Sequence, residues 1–200
     1  MEARTYYEVT VPRRVIPQPH PKVYEHGDCG ACVLGGLFGI NDIKEVYSRF
    51  QRNGAIEPWC RITMADAFHS AQNRNIIDRF VDDMPTWAGW DVRNVWGNPS
   101  WYQCREWFNY IRMAIDAGYY GVASVNMDGN GPLELTDHVV LLCGVRERVD
   151  PHPTMTEAGV VIQEILVSCS AKHPEGKWYE VEGFLKHRGG FNCYLARPKQ

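Results

Sequence analysis

The chain has 200 residues, 44% apolar and 22% charged, which suits one compact domain, folded as two lobes around a cleft at most. A formal net charge of −3 gives no electrostatic reason for nucleic acid or an anionic membrane as partner. The longest apolar run, Val139 to Cys143, is far too short to span a bilayer.

The opening Met1-Glu2-Ala3-Arg4-Thr5-Tyr6-Tyr7-Glu8 has no apolar stretch of the kind a secretory signal carries. Seven cysteines is an odd number, so at least one lies outside any intramolecular disulfide. Together these read as a cytoplasmic protein with reduced thiols.

Residues 4–25 hold four prolines and the β-like run Tyr6–Val11, and read as an extended arm without its own core. From residue 30 the pattern changes. Val33, Leu34, Leu37, Ile40, Ile43, Val46, Tyr47 and Phe50 recur at three- and four-residue steps and predict an amphipathic helix ending before Asn53-Gly54. Gly35, Gly36 and Gly39 weaken it, and a break near Gly39 with Asn41 capping a second helix is the alternative. A shorter helix is predicted over Met64–Arg74, capped by Thr63, and residues 85–101 read as an irregular excursion rich in Trp, Gly, Asn and Pro.

Tyr102 to Ala117 reads as a helix closed by Gly118. The period then falls to two, and Gly121–Met127, His138–Val145, Val160–Ser168 and Phe191–Arg197 read as strands. Helices first and strands second argue for an α+β fold.

The chemistry-bearing residues are two cysteines at the start of the first helix and a distant histidine. A helix N-terminus favours a thiolate through its unpaired N–H groups and dipole, and Cys29 and Cys32 sit where that helix begins. A thiolate nucleophile needs an imidazole from elsewhere in the chain. His138 opens the alternating strand Asp137-His138-Val139-Val140-Leu141-Leu142-Cys143-Gly144 and is the best candidate.

The segment His26-Gly27-Asp28-Cys29-Gly30-Ala31-Cys32 resembles the papain signature Gln-Gly-x-Cys-Gly-[Ser/Ala]-Cys. Thr136–Val145 is similar to that family's histidine strand, [Asn/Asp]-His-Ala-Val-x-x-Val-Gly-Tyr, and Ile165–Ser170 lies where a hydrophobic strand ends in Lys-Asn-Ser-Trp-Gly. The resemblance implies a papain-like cysteine proteinase fold, with the active site between a helical lobe and an antiparallel β lobe. Its bounds would be an arm at 1–25, a helical lobe over about 26–117 and a β lobe over about 118–200.

Carried over, the resemblance makes Cys32 the nucleophile, His138 the general base and His26 the oxyanion donor where the family has glutamine. Cys169 stands where the family has asparagine to orient the histidine, and Val33 where it has tryptophan. Asp28-Cys29-Gly30 also resembles the [Asp/Glu]-Cys-Gly of bacteriocin-processing peptidases, which would make Cys29 the nucleophile. That register puts Val23, which cannot donate, at the glutamine position. The implied activity is hydrolysis of an amide, thioester or isopeptide bond in a peptide or protein substrate, without metal or organic cofactor. An inactive papain-like module that binds a peptide or protein partner is the competing reading.

Cys29-x-x-Cys32 has other uses. With His20 and His26 it could supply half of a zinc site, but no second spaced pair completes four ligands. A thioredoxin-like motif also starts a helix with Cys-x-x-Cys, but here the preceding segment is proline-rich and not a buried strand. In the family, Cys29 and Cys60 would correspond to a disulfide pair under oxidising conditions. Cys104, Cys143 and Cys193 read as small core residues, and His20, His69, His152, His173 and His187 as solvated or structural. Trp87, Trp90, Trp96, Trp101 and Trp107 fit no single helix face and receive no role in the site.

Overall fold

The computed structural model describes residues 4–18, 29–50, 90–97, 104–125, 138–150, 159–188 and 192–199. The predicted helix at Met64–Arg74 lies outside them, as do His20, His26, Cys60, His69, Trp87, Trp101 and His152.

Four helices and seven strands are described. In chain order they are β1 (Arg4–Thr10), α1 (Cys29–Phe38), α2 (Ile43–Phe50), β2 (Trp90–Gly97), α3 (Cys104–Asp116), β3 (Tyr120–Val125) and β4 (His138–Asp150). β5 (Val160–Cys169), β6 (His173–Glu180), α4 (Val181–Arg188) and β7 (Asn192–Pro198) follow. The strands form one mixed-order antiparallel sheet, β2-β7-β3-β4-β5-β6, with β1 also paired to β4. The chain is therefore a mixed helix-and-sheet fold with an antiparallel sheet.

Strand β4 organises the sheet. Its first half pairs with β3, His138 opposite Val125 and Leu142 opposite Gly121, while its second half pairs with β1 from Gly144 to Val149. Its other edge carries β5. Val140, Leu141, Leu142, Cys143 and Val145 are all buried, so the continuous apolar run marks a strand covered on both faces. α1 and α3 both pack on it.

The predicted helix from residue 30 to 50 is two helices. Gly39 takes a left-handed φ of 68°, which a residue with a Cβ adopts at a cost, and α1 stops there. The cap of α2 is Asp42, not Asn41: its Oδ1 accepts from the Lys44 N–H at 2.9 Å. Ala31 through Leu37 are all buried, so α1 is apolar on every side along its middle, with its first residues partly exposed.

α3 buries Trp107, Phe108, Ile111, Ala114 and Ile115 at helical spacing. It closes as the sequence suggests: the Gly118 N–H reaches the Ile115 carbonyl and the Tyr119 N–H the Ala114 carbonyl, the paired bonds of a glycine-terminated helix.

Three readings change. The Arg4–Thr10 arm is a strand of the main sheet, with Tyr7 and Val9 packed against the core. The irregular stretch contains β2, which pairs with β7 along most of its length. Trp90 on it is buried, its ring 4.9 Å from that of Phe38. Finally β6 and α4 occupy a region the sequence reading left blank. α4 covers β5 and β6 with Val181, Phe184 and Leu185.

Candidate active site

His138 is the first residue of β4, and Cys169 the last of β5. Because β4 and β5 run antiparallel, the start of one meets the end of the other. The His138 Nε2 lies 3.3 Å from the Cys169 Sγ, and both residues are buried, 7% and 6% exposed. The two residues matched to the family's histidine and asparagine positions are thus in direct contact, by way of the register of a single strand pair.

Whether sulfur accepts from an Nε2–H or donates to a bare Nε2 depends on the tautomer. An Nε2–H···S contact leaves Nδ1 as the proton-accepting nitrogen.

The segment Val11–Gln18 fixes the position of α1 relative to this corner. It leaves β1 with the Val11 N–H on the Cys143 carbonyl in mid-β4. It then passes to the end of β5, where the Val15 N–H reaches the Ser168 Oγ at 3.0 Å and the Gln18 N–H the Ser170 carbonyl at 3.0 Å. Ser168 Oγ in turn donates to the Pro174 carbonyl, tying the strap to the start of β6.

Helix α1 runs along this strap in the opposite direction. Gly36 sits against Arg14, the Cys32 carbonyl accepts from the Ile16 N–H, and the Cys32 thiol lies 3.9 Å from the Pro17 carbonyl. The strap advances toward Ser170 as the helix recedes toward Cys29. The N-terminus of α1 therefore lies at the end of the sheet that holds His138 and Cys169.

The two candidate nucleophiles differ in setting. Cys29 is the first residue of α1 and partly exposed. Cys32 stands three residues further in and is 0% exposed, with its thiol against the strap. A thiol that attacks a substrate from solvent must be reachable by it, and a helix N-terminus favours its thiolate. Cys29 meets that criterion by exposure and position, and Cys32 by neither.

His26 lies outside the described residues. Among those described, no group of three or more His, Cys, Asp or Glu side chains is arranged to hold a metal ion. Cys143 is a core thiol as expected: burial is the main influence on it and pushes its pKa up to about 11. Cys104 is partly exposed at the start of α3. His173 is half-buried, its Nδ1 3.7 Å from a Glu175 carboxylate oxygen. Trp90 and Trp107 are core side chains.

The residues that sequence reasoning missed are those of the strap, Val15, Ile16 and Pro17, which is bonded to Ser168 and Ser170 at the end of β5. The only hint was the proline-rich composition of residues 12–21, since proline disfavours regular structure and suits a strap bonded through isolated N–H groups. Among the described residues no helix is long and apolar enough to cross a membrane. No protein-family model matches the chain, and no curated protein matches it either.

Proposed function

We propose that the chain is a papain-like cysteine hydrolase acting on an amide, isopeptide or thioester carbonyl of a peptide or protein substrate. Cys29 is the nucleophile, His138 the general base and acid, and Cys169 the group that orients the imidazole. The observation that carries this reading is the contact of His138 Nε2 with Cys169, at the position where the family keeps an orienting side chain. The α1 N-terminus at the same end of the sheet supports Cys29 as the attacking group.

The chemistry needs no metal or organic cofactor. The Cys29 thiolate adds to the carbonyl carbon, and the developing oxyanion is met by N–H groups at the helix start, with His26 as a further donor. Each such donor contributes roughly 2.7–4 kcal/mol to transition-state stabilisation. His138 then protonates the departing amine or thiol, leaving an acyl-thioester on Cys29. Water attacks that thioester while His138 takes its proton, which releases the acid and restores the thiol. Reduced thiols of this kind suit a cytoplasmic compartment.

An inactive module that binds a peptide or protein partner is the second reading. It is favoured by the low exposure of the His138–Cys169 pair and by a thiol standing where an amide is usual.

Iodoacetamide labelling near neutral pH, mapped by mass spectrometry, separates the two. The enzyme reading expects Cys29 to react faster than a free thiol and a peptide-library screen to yield a cleaved bond. Cys29→Ser should abolish that cleavage, whereas Cys32→Ser keeps it. Labelling of Cys29 no faster than a free thiol, with no cleavage, removes the enzyme reading. Dependence of cleavage on Cys32 instead of Cys29 returns the nucleophile to the papain register.

A further inference from the structure

The hydrolase chemistry uses one cysteine of Cys29-Gly30-Ala31-Cys32 and leaves the second unexplained. Both belong to the first turn of α1, three residues apart. Residues at this spacing lie on one helix face with Cβ atoms about 5–6 Å apart. A disulfide requires Cα atoms roughly 4.4–6.8 Å apart and a modest approach of the Cβ atoms, which the end of a helix can supply. The two thiols are also unequally placed. Cys29 is partly exposed, while Cys32 is fully buried with its sulfur against the Pro17 carbonyl.

That arrangement fits an outer thiol that meets an oxidant and an inner thiol that meets only the outer one. We propose that Cys29 and Cys32 form a peroxide-reactive dithiol that closes reversibly into a disulfide across the first turn of α1.

The Cys29 thiolate attacks one oxygen of hydrogen peroxide and the O–O bond breaks. The leaving hydroxide takes a proton and departs as water, so sulfur is oxidised to the sulfenic acid and peroxide is reduced. The Cys32 sulfur then attacks the Cys29 sulfur, forming the S–S bond. The expelled hydroxide leaves as a second water with the proton that Cys32 gave up. Two thiols and one peroxide thus become one disulfide and two waters, and a dithiol reductant reverses the change by exchange.

The consequence for activity, that oxidation silences hydrolysis, rests on the reading of Cys29 as nucleophile; the dithiol chemistry does not.

The test uses the full chain, reduced and then treated with hydrogen peroxide, with free thiols blocked before digestion and mass spectrometry. The expected product is a Cys29–Cys32 peptide lighter by two hydrogens and without blocking groups, restored by dithiothreitol. Cys32→Ser should instead accumulate a sulfenic acid at Cys29 that dimedone labels, and Cys29→Ser should leave Cys32 reduced. A Cys29 disulfide to Cys60 or to a second chain overturns the proposal. So does a wild-type sulfenic acid that persists at Cys29, or a pair that stays reduced while another cysteine oxidises. A disulfide that forms in a protein without hydrolytic activity keeps this proposal and removes the hydrolase. Cys29-dependent hydrolysis with no such disulfide does the reverse.

Discussion

The imidazole of His138 is held by the sulfur of Cys169, at 3.3 Å from Nε2, where an amide or carboxylate oxygen would ordinarily orient a catalytic histidine. Whichever of the two carries the proton, a neutral hydrogen bond to sulfur is weak and contributes about 1 kcal/mol. Cys169→Ala should therefore lower kcat about five- to tenfold, since 1.36 kcal/mol is a factor of ten in rate. KM should stay the same, because in the proposed mechanism the lost interaction acts on the base and not on the substrate. Cys169→Asn offers a stronger acceptor at the same place and should keep or raise kcat. Steady-state kinetics on the three proteins decides the point. An asparagine variant as slow as the alanine one would mean that the thiol does more than orient.

Gly36 lies where α1 crosses the strap, and its smallness is required. A Cβ on it would fall 2.1 Å from the Arg14 carbonyl oxygen, a backbone atom that cannot swing away. Alanine favours a helix interior by about 1 kcal/mol over glycine, but overpacking a fixed contact costs roughly 1–3 kcal/mol. Gly36→Ala should consequently lower Tm despite its better helix propensity. Gly183 in α4 is the control. Nothing lies within 4 Å of its would-be Cβ, so Gly183→Ala should raise Tm by the propensity gain alone. Thermal unfolding of both variants followed by circular dichroism gives the comparison.

The glycines also show how much the sequence could say. Their presence in an apolar run signalled a weak helix, yet the partner that makes Gly36 necessary is the Arg14 carbonyl, more than twenty residues away. The break at Gly39 was legible, because a left-handed residue ends a helix locally. The cap was misassigned by one position, since Asn41 and Asp42 are equally good acceptors and only the backbone path chooses between them. β2 was hidden by its composition. Its Trp, Asn and Gly residues look irregular until β7 pairs with them. β1 read correctly as extended but incorrectly as lacking a core, because its core is β4, well over a hundred residues distant.

At the site, His138 and Cys169 were both legible as positions, and their contact follows from antiparallel pairing of two predicted strands. Between Cys29 and Cys32 the sequence weighs only registers, with His26 a possible donor in one and Val23 none in the other. The difference in their exposure, set by the strap lying over Cys32, was not legible.

Cys143 is the thiol that should not react. It is fully buried in the middle of β4, its Sγ 3.6 Å from the Leu166 carbonyl, and burial pushes its pKa up to about 11. A group with a raised pKa stays protonated through neutrality, and the thiolate is the form that alkylates. In the native protein Cys143 should remain unlabelled by iodoacetamide near neutral pH while Cys29 is modified. In denaturant it should label at the rate of an ordinary thiol. Peptide mapping after a timed pulse measures both, and native labelling of Cys143 as fast as in denaturant would contradict its placement in the core.

Glu164 sets the expected response to acid. Its carboxylate is buried beside two guanidinium groups, with Oε2 2.6 Å from the Nε atoms of both Arg146 and Arg148. Burial alone would raise its pKa, but the hydrogen bonds and charges of the two arginines outweigh it and hold the carboxyl below the ordinary glutamate value. A carboxyl with a lowered folded pKa adds stability that is complete above its unfolded pKa and is lost as pH falls through the folded one. The cluster should therefore stabilise fully at neutral pH and fade in the acid range below the usual 4.5. Glu164→Gln leaves two buried-edge cations facing a neutral amide. Hydrogen bonds to charged groups contribute about 1.5–3 kcal/mol, and a loss of that order is expected at neutral pH. The gap between the two proteins should narrow as pH falls, because acid protonates the wild-type carboxyl and makes it resemble the amide. Urea unfolding at neutral and acidic pH measures that gap directly, and a gap that does not change with pH would remove Glu164 as the source.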